Sequence, residues 1–259
     1  MTKKLIKSIK NIRTNILKKT FQAQSSHIGS CFSIVELLAV LYFKRLRKKD
    51  TFILSKGHAA LALYCTLFEK KLLPKKELDS YGKNNSTLMS HVSHKVKNIK
   101  FSTGSLGHGL PYAVGKALGE KIDRTNNKVY VLVSDGELNE GTTWESLLIG
   151  ARHQLDNLLV LVDYNKIQAL STLKEALPLD DLSAKFRAFN WDCEEVEDGH
   201  NFREIIPALH QLPFARKPRA VLLHTVKGKG IPEFENDPAW HARKIKGEQL
   251  EIGKKALGL

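Results

Sequence analysis

Two residues with metal-binding side chains each follow an apolar run, and they are thirty positions apart. Asp135 comes after the run at 129–133, and Asn165 comes shortly after a second run at 158–162. Because neighbouring parallel strands end at the same edge of a sheet, a carboxylate and an amide oxygen would meet there. Both are hard oxygen ligands, which suit Mg²⁺ or Ca²⁺ better than zinc. The pair therefore predicts a divalent-cation site, whereas an isolated Asp-Gly would indicate only a turn.

The elements that must position these residues alternate along the chain. Short apolar strands are predicted near 51–54, 129–134, 158–163, 192–197 and 219–226. Helices are predicted near 3–20, 33–47, 57–71, 105–122, 142–154, 181–188 and 201–212. This alternation indicates an α/β fold with a mostly parallel sheet covered by helices on both faces. A tail from about 230 has weak periodicity and is expected to pack on a partner or on the domain edge.

Length and composition exclude several classes of protein. The 259 residues are enough for one large domain, and 42% hydrophobic and 26% charged residues are ordinary for a soluble globular protein. No apolar run approaches the roughly 20 residues that a membrane span needs. The cysteines Cys31, Cys65 and Cys193 share no metal or redox spacing. We therefore expect a cytoplasmic protein with no disulfide framework and no membrane partner.

The net charge of +14 allows two interpretations. A basic face could attract nucleic acid. The lysines, however, are spread along the chain without interleaved aromatic residues or a nucleic-acid motif. This distribution favours solvated lysines on helix surfaces, with at most a steering effect on anionic ligands, and no nucleic-acid partner.

The basic, acid-free segment before Glu36 also has two interpretations. It could be a transit peptide, but it lacks the serine and arginine richness of one. Apolar residues at helical spacing, among them Leu5, Ile9, Ile12 and Ile16, instead favour the first amphipathic helix of the domain.

Five stretches together resemble a known family. The stretches 134–141 and 163–167, which contain Asp135 and Asn165, resemble the thiamine diphosphate motif. The stretches 52–59, 102–109 and 225–230 resemble the transketolase family. The closest resemblance is to the N-terminal subunit of split transketolases, from about residue 11 to about residue 241. It implies one diphosphate-binding domain over 1–259, with the three-layer thiamine diphosphate-binding fold.

The resemblance implies a set of metal ligands. Asp135 and Asn165 would bind Mg²⁺, or Ca²⁺, through their side chains, and Ile167 would bind it through its backbone carbonyl. Phosphate oxygens of the cofactor and water would complete the octahedral shell. Gly136 would let the backbone approach the diphosphate closely. Ser134 stands where the family usually has glycine, so its side chain is either tolerated or crowds the cofactor.

The resemblance also implies further cofactor contacts. His58, Gly104, Ser105 and Leu106 would lie against thiamine diphosphate, the last three on its aminopyrimidine side. Glu140 would face across a subunit contact. The alternative for Glu140 is a carboxylate at a helix N-terminus, favoured by the helix dipole.

Histidines occupy the positions where transketolases place active-site imidazoles. They are His27, His58, His91 and His241. A donor ketose must lose a hydroxyl proton and an acceptor aldehyde must gain one, which imidazoles do near neutral pH. His94 is a rival of His91 for this role.

The glutamate that activates the cofactor in this family belongs to a pyrimidine-binding domain, which has no counterpart in the sequence. We therefore expect a subunit that is inactive alone and is completed by a transketolase C-terminal, pyrimidine-binding subunit in a hetero-oligomer. The complex would transfer a two-carbon ketol unit between sugar phosphates. Alternatives are the diphosphate-binding half of another ketol- or acyl-transferring enzyme and a degenerate, non-catalytic subunit, at which only Ser134 hints.

Overall fold

A parallel sheet forms the centre of the structure, a computed structural model that describes residues 2–210 and 216–259. In chain order the strands are β1 (Thr51–Leu54), β2 (Val129–Ser134), β3 (Leu158–Tyr164), β4 (Ile167–Gln168), β5 (Ser171–Thr172), β6 (Asp192–Val196) and β7 (Arg219–His224). Within the described residues, five of them form the sheet in the order β1-β2-β3-β7-β6, with every pair parallel. The short β4 and β5 form a separate antiparallel hairpin.

Helices cover both faces of this sheet. They are α1 (Thr2–Ala23), α2 (Ile28–Phe32), α3 (Val35–Val40), α4 (Ala60–Glu69), α5 (Lys75–Leu78), α6 (Gly109–Ile122), α7 (Gly141–Arg152), α8 (Leu173–Ala176), α9 (Leu182–Ala188), α10 (Phe202–His210) and α11 (Gly247–Ala256). Successive side chains of a strand point to opposite faces. Tyr130 and Leu132 accordingly pack in the core with α1 to α4 and α10, whereas Val131 and Val133 pack with α6, α7 and α9. The predicted three-layer α/β fold is confirmed.

All five sheet strands lie where the sequence predicts them, to within two residues at each end. The helices differ more. The helix predicted at 33–47 is α3 followed by a π-helical turn at Leu41–Arg45, and the one predicted from 105 begins at Gly109. The helix predicted at 201–212 is α10, and residues 211–212 lie outside the described part of the chain.

The sequence did not predict the shortest elements or α11. Elements of two to five residues, such as α2, α5, α8 and the β4–β5 hairpin, are too short to show a hydrophobic period. The segment after residue 230 forms two 3₁₀ turns and then α11, which packs against α1. Gly253 makes that packing close, because a Cβ there would lie 2.9 Å from Leu17. None of the described helices is both long enough and apolar enough to span a lipid bilayer.

The register between β2 and β3 brings the two predicted metal ligands to one edge of the sheet. Ser134 is paired with Asp163, so both strands end at the same level. Asp135 directly follows β2, and Asn165 directly follows β3. Lys166 has a φ of +65°, in the left-handed region, and reverses the chain so that Ile167 returns toward the same point.

Candidate functional site

A cleft of about 260 Å³ opens at the carboxyl edge of the sheet. Most of the residues that the sequence predicts for the site line it: His27, His58, His91, Gly104, Leu106, Asp135, Gly136, Asn165, Ile167 and His241. Six separate loops, each following a strand or opening a helix, contribute these residues. The structure therefore brings together residues that are up to 214 positions apart (from 27 to 241).

Asp135 forms the base of the cleft at the end of β2. Its side chain is buried and accepts hydrogen bonds from the backbone nitrogens of Gly136 (2.8 Å) and Lys166 (2.6 Å). Burial, and secondarily the neighbouring Asp163 carboxylate, raises the pKa of Asp135 to about 7. A carboxylate that is buried beside another carboxylate needs a neighbouring cation to stay ionised. A bound metal ion would supply that charge.

Asn165 provides the second oxygen donor of the donor corner, the part of the cleft formed by Asp135, Asn165 and Ile167. Its Nδ2 donates to Oδ2 of Asp163 (3.0 Å), and its Oδ1 accepts from the backbone nitrogen of Ile167 (3.1 Å). The donor set is thus one carboxylate, one amide oxygen and the carbonyl of Ile167, all hard oxygens that suit Mg²⁺ or Ca²⁺. A single carboxylate leaves such a cation partly uncompensated, so the corner fits a metal that also binds anionic oxygens of a ligand.

Two buried lysines in the cleft were not predicted as site residues. Lys56 is ion-paired with Asp163, and both side chains are almost completely buried. The Lys227 Nζ lies 3.4 Å from the carbonyl oxygens of Ile167 and Ala169. Burial, and then the charge of Lys56, lowers the pKa of Lys227 to about 8. Asp163 compensates the charge of Lys56, whereas the Lys227 ammonium beside the oxygen donors makes this end of the cleft suited to a diphosphate.

The four predicted histidines form one cluster. The ring centroid of His27 lies 5.4 Å from that of His58, 5.7 Å from His91 and 4.9 Å from His241. Burial is the largest cause that lowers the pKa of each: to about 4 for His27, to about 3 for His241, and below the usual value for the other two. The rings are therefore neutral near pH 7, and a neutral imidazole has one donor and one acceptor nitrogen.

The geometry separates His91 from its rival. His91 lines the cleft, whereas His94 is exposed and its Nδ1 lies 2.6 Å from the Ser102 hydroxyl, outside it. A Cβ at Gly104 would lie 3.3 Å from the His91 ring, so this glycine admits the imidazole.

Two predicted residues, Ser105 and Glu140, do not line the cleft. Both are exposed. Glu140 immediately precedes α7 and makes no side-chain capping hydrogen bond there. Its Cβ would lie 2.8 Å from a Cβ at Gly107, so it packs on the loop that carries Ser105 and Leu106.

Glu137 is a further residue that the sequence did not single out. It is buried beneath the cleft, where it accepts hydrogen bonds from the Ser55 hydroxyl and from the backbone nitrogen of Gly107 (2.9 Å). It thereby connects three of the five stretches singled out in the sequence, 52–59, 102–109 and 134–141. The signal for Glu137 in the sequence is its position two residues after Asp135. That position does not show that the side chain is buried.

Comparisons with known proteins show what the chain as a whole is similar to. The family model of the transketolase thiamine diphosphate-binding domain matches residues 2–259. The chain is 37% identical to one of the subunits of the apulose-4-phosphate transketolase of Actinobacillus succinogenes, over 98% of this chain and 95% of that protein. It is also 37% identical to the 6-deoxy-6-sulfo-D-fructose transketolase subunit SqwG of a Clostridium species, over 92% and 90% of the two chains.

The fold is shared with longer transketolases. The transketolase of Pichia stipitis, solved in complex with sedoheptulose 7-phosphate, superimposes with a TM-score of 0.88 at 25% identity. That match covers 99% of this chain but only 41% of the solved one. The chain thus spans about two fifths of that transketolase and nearly all of the two relatives described as subunits.

Proposed function

The chain belongs to the transketolase family through its thiamine diphosphate-binding domain, and on that premise we propose that it is the diphosphate-binding subunit of a split transketolase. The observation that carries the proposal is the single cleft that joins an oxygen-donor corner and two buried ammonium groups to a cluster of four neutral histidines. One end suits a metal diphosphate, and the other suits the hydroxyl groups of a sugar.

In this proposal the donor corner anchors the cofactor. Asp135, Asn165 and the carbonyl of Ile167 hold Mg²⁺, and Lys227 faces the diphosphate. Gly136 would let the backbone approach the diphosphate closely. The glycine also leaves room for Gln168, because a Cβ at position 136 would lie 2.9 Å from that side chain. When bound, thiamine diphosphate supplies the electron sink for breaking and forming carbon–carbon bonds.

The histidine cluster handles the substrate. A ketose phosphate donates a two-carbon ketol unit and an aldose phosphate accepts it, so one hydroxyl loses a proton and another gains one. The neutral rings of His27, His58, His91 and His241 can accept the first proton and donate the second. His27 is held in place by its backbone, which has a φ of +68° and donates to the carbonyl of His241 (3.0 Å).

A second subunit completes the site. The two relatives that match over nearly their whole length are described as subunits, which supports a separate pyrimidine-binding partner and a hetero-oligomer. The exposed part of α7 supports the same conclusion, because Leu148 and Ile149 are 59% and 48% exposed. Large apolar side chains on an outer helix face are typical of surfaces that a partner covers.

The intact site favours a catalytic subunit over a degenerate one. Asp135, Asn165 and all four histidines line the cleft. The Ser134 hydroxyl accepts a hydrogen bond from the backbone nitrogen of Glu137 (3.3 Å), which gives this side chain a structural partner in its own loop. The two subunit relatives are named for different sugars. The cytoplasmic location stays a prediction.

Calorimetry on the chain reconstituted with a pyrimidine-binding subunit tests the cofactor site. We expect Mg²⁺-dependent binding of thiamine diphosphate that Asp135→Ala weakens by more than about 100-fold, because a direct ligand contributes more than an outer-shell one. Glu251→Gln, in a surface ion pair with Lys254, is the control and should bind normally. Unchanged cofactor affinity in Asp135→Ala would contradict the assignment.

A further inference from the structure

A buried carboxylate outside the cleft organises a second network. Glu36 is buried and accepts two hydrogen bonds from the guanidinium of Arg13, at 2.5 and 2.8 Å. Its Oε2 also lies 3.0 Å from Nδ1 of His200. None of the three residues lines the cleft. Burial acts to raise the pKa of Glu36, but Arg13 and His200 outweigh it and lower that pKa to about 2.

The two partners of Glu36 hold the two ends of one short segment. His200 Nε2 accepts a hydrogen bond from the backbone nitrogen of Val226 (2.8 Å). Arg13 Nε donates to the backbone carbonyl of Lys229 (2.9 Å). The segment 226–229 is therefore tied at both ends to a single carboxylate.

Lys227 lies between these two ties, and its side chain enters the cleft. The side chain is buried, and its Nζ reaches the carbonyl of Ile167 and lies 3.4 Å from Nδ1 of His241. A third tie fixes the middle of the segment, where the backbone nitrogen of Gly228 donates to the carbonyl of Gly29 (3.0 Å). The place of the Lys227 ammonium thus depends on where the segment is held.

The hydrogen bonds also fix the tautomer of His200. Its Nε2 accepts a backbone N–H, so that nitrogen carries no proton, and Nδ1 must be the one that donates to Glu36. Both oxygens of Glu36 then act as acceptors. A glutamine at position 36 has only one acceptor oxygen, so it loses at least one of the two bonds from Arg13, and it loses the bond from His200 as well if its amide nitrogen takes the place of Oε2.

We propose that Glu36 is a positioning residue for Lys227: through Arg13 and His200 it holds the segment 226–229 so that the ammonium stays at the floor of the cleft. Its effect on the cofactor follows from the proposed function. The fixed segment itself does not depend on that function.

Hydrogen exchange on the 259-residue chain tests this clamp, by which we mean the hydrogen bonds that join Glu36 to the segment 226–229 through Arg13 and His200. The experiment needs no cofactor. Glu36→Gln should speed amide exchange at 226–229 by about tenfold or more, while β2 and β3 keep their protection. The control is Glu195→Gln, since Glu195 pairs with His224 at 2.8 Å in another Glu–His contact. It should leave 226–229 unchanged. Unaltered exchange at 226–229 in Glu36→Gln would overturn the proposal, as would equal acceleration in every strand.

A second variant keeps the test decisive if Glu36→Gln does not fold. In His200→Asn the amide nitrogen takes the place of Nδ1 and keeps the bond to Glu36, but no atom replaces Nε2. The Val226 amide should then exchange faster. The exchange of Gly230 should stay slow, because its amide still donates to Glu235 and Arg13 still holds the carbonyl of Lys229. Protection of Val226 equal to that of the native chain would refute the role of His200 in the clamp.

A double-mutant cycle on the reconstituted complex tests the path through Lys227. Glu36→Gln should weaken thiamine diphosphate binding by about tenfold, but should have little further effect in a Lys227→Met background. Additive losses would show that Glu36 acts by another route and would contradict the proposal. If the native complex binds no thiamine diphosphate, the proposed function fails, and the exchange experiments still decide whether the clamp exists.

Discussion

Asn165 donates its side-chain amide to Oδ2 of Asp163 at 3.0 Å, and this bond leaves its oxygen on the side of Ile167. The same carboxylate accepts hydrogen bonds from the hydroxyls of Ser33 (2.7 Å) and Thr225 (2.5 Å), and it pairs with Lys56. One buried residue of β3 therefore orients a predicted metal ligand and neutralises a lysine of the cleft. Partners that orient a ligand in this way are part of a metal site.

Removing the charge of Asp163 should destabilise the whole chain. Asp163→Asn leaves the Lys56 ammonium buried without its counter-charge, which costs about 3–5 kcal/mol in the free energy of unfolding. Urea unfolding measures this loss. Glu251→Gln removes a surface ion pair and should change the same free energy by less than about 1 kcal/mol. Equal losses of unfolding free energy in the two variants would show that the buried ion pair contributes no more to stability than the surface pair.

The Ser134 side chain should matter for stability and not for cofactor affinity. Ser134→Gly and Ser134→Ala both remove the hydrogen bond that the backbone of Glu137 donates, at a cost of about 0.5–1.5 kcal/mol in unfolding free energy. Calorimetry should show thiamine diphosphate affinities within about twofold of the native value, a difference of about 0.4 kcal/mol. A clearly tighter affinity in Ser134→Gly alone would mean that the Cβ crowds the diphosphate.

The histidine cluster should make the cofactor-free chain sensitive to mild acid. The folded-state pKa values of His27 and His241 lie near 4 and 3, below the unfolded value of about 6.5. The unfolded chain then binds more protons, so stability is complete above pH 6.5 and falls as pH drops toward 4. His27→Gln should flatten this part of the urea-unfolding profile. A His27→Gln profile identical to that of the native chain would contradict the claim that the His27 ring is buried and neutral.

Glu36 should control a separate, more acidic window. Its folded-state pKa is about 2, against an unfolded value of about 4.3, so its contribution is present above pH 4.3 and is lost as pH falls toward 2. The difference corresponds to on the order of 3 kcal/mol. Glu36→Gln should be less stable than the native chain at pH 7 and should lose less stability below pH 4. The measurement is the free energy of unfolding of both chains from pH 7 to pH 2. If Glu36 were not paired, the values for the native chain and for Glu36→Gln would run in parallel.

The fold and the meeting of Asp135 with Asn165 at one edge of the sheet could be predicted because their signals are local. Each buried strand is a continuous apolar run, and Asp135 and Asn165 stand directly beyond two of them. The lysines of the cleft could not be predicted in the same way, since an isolated lysine in a sequence is normally solvated. Lys56 and Lys227 are buried only because Asp163 and the carbonyl of Ile167 lie beside them.

The other features that the sequence could not predict depend on contacts between distant parts of the chain. Nothing in the spacing of His91 and His94 shows which ring turns inward, because the loop that carries them packs on Gly104. Likewise Arg13, Glu36 and His200 come from three distant parts of the chain, and only the packing of α1 and α3 beside the loop before α10 brings them together. The exposed positions of Ser105 and Glu140 follow from the turn that precedes α6 and the start of α7.

The reconstitution of activity tests the central claim most directly. A coupled assay should measure transfer of a two-carbon unit from a ketose phosphate to an aldose phosphate in the presence of thiamine diphosphate and Mg²⁺. We predict no turnover by the purified chain, and turnover when a pyrimidine-binding transketolase subunit is added, because each supplies one wall of the cofactor site. Robust turnover by the chain alone, with host transketolase excluded, would contradict the assignment as one half of a split enzyme.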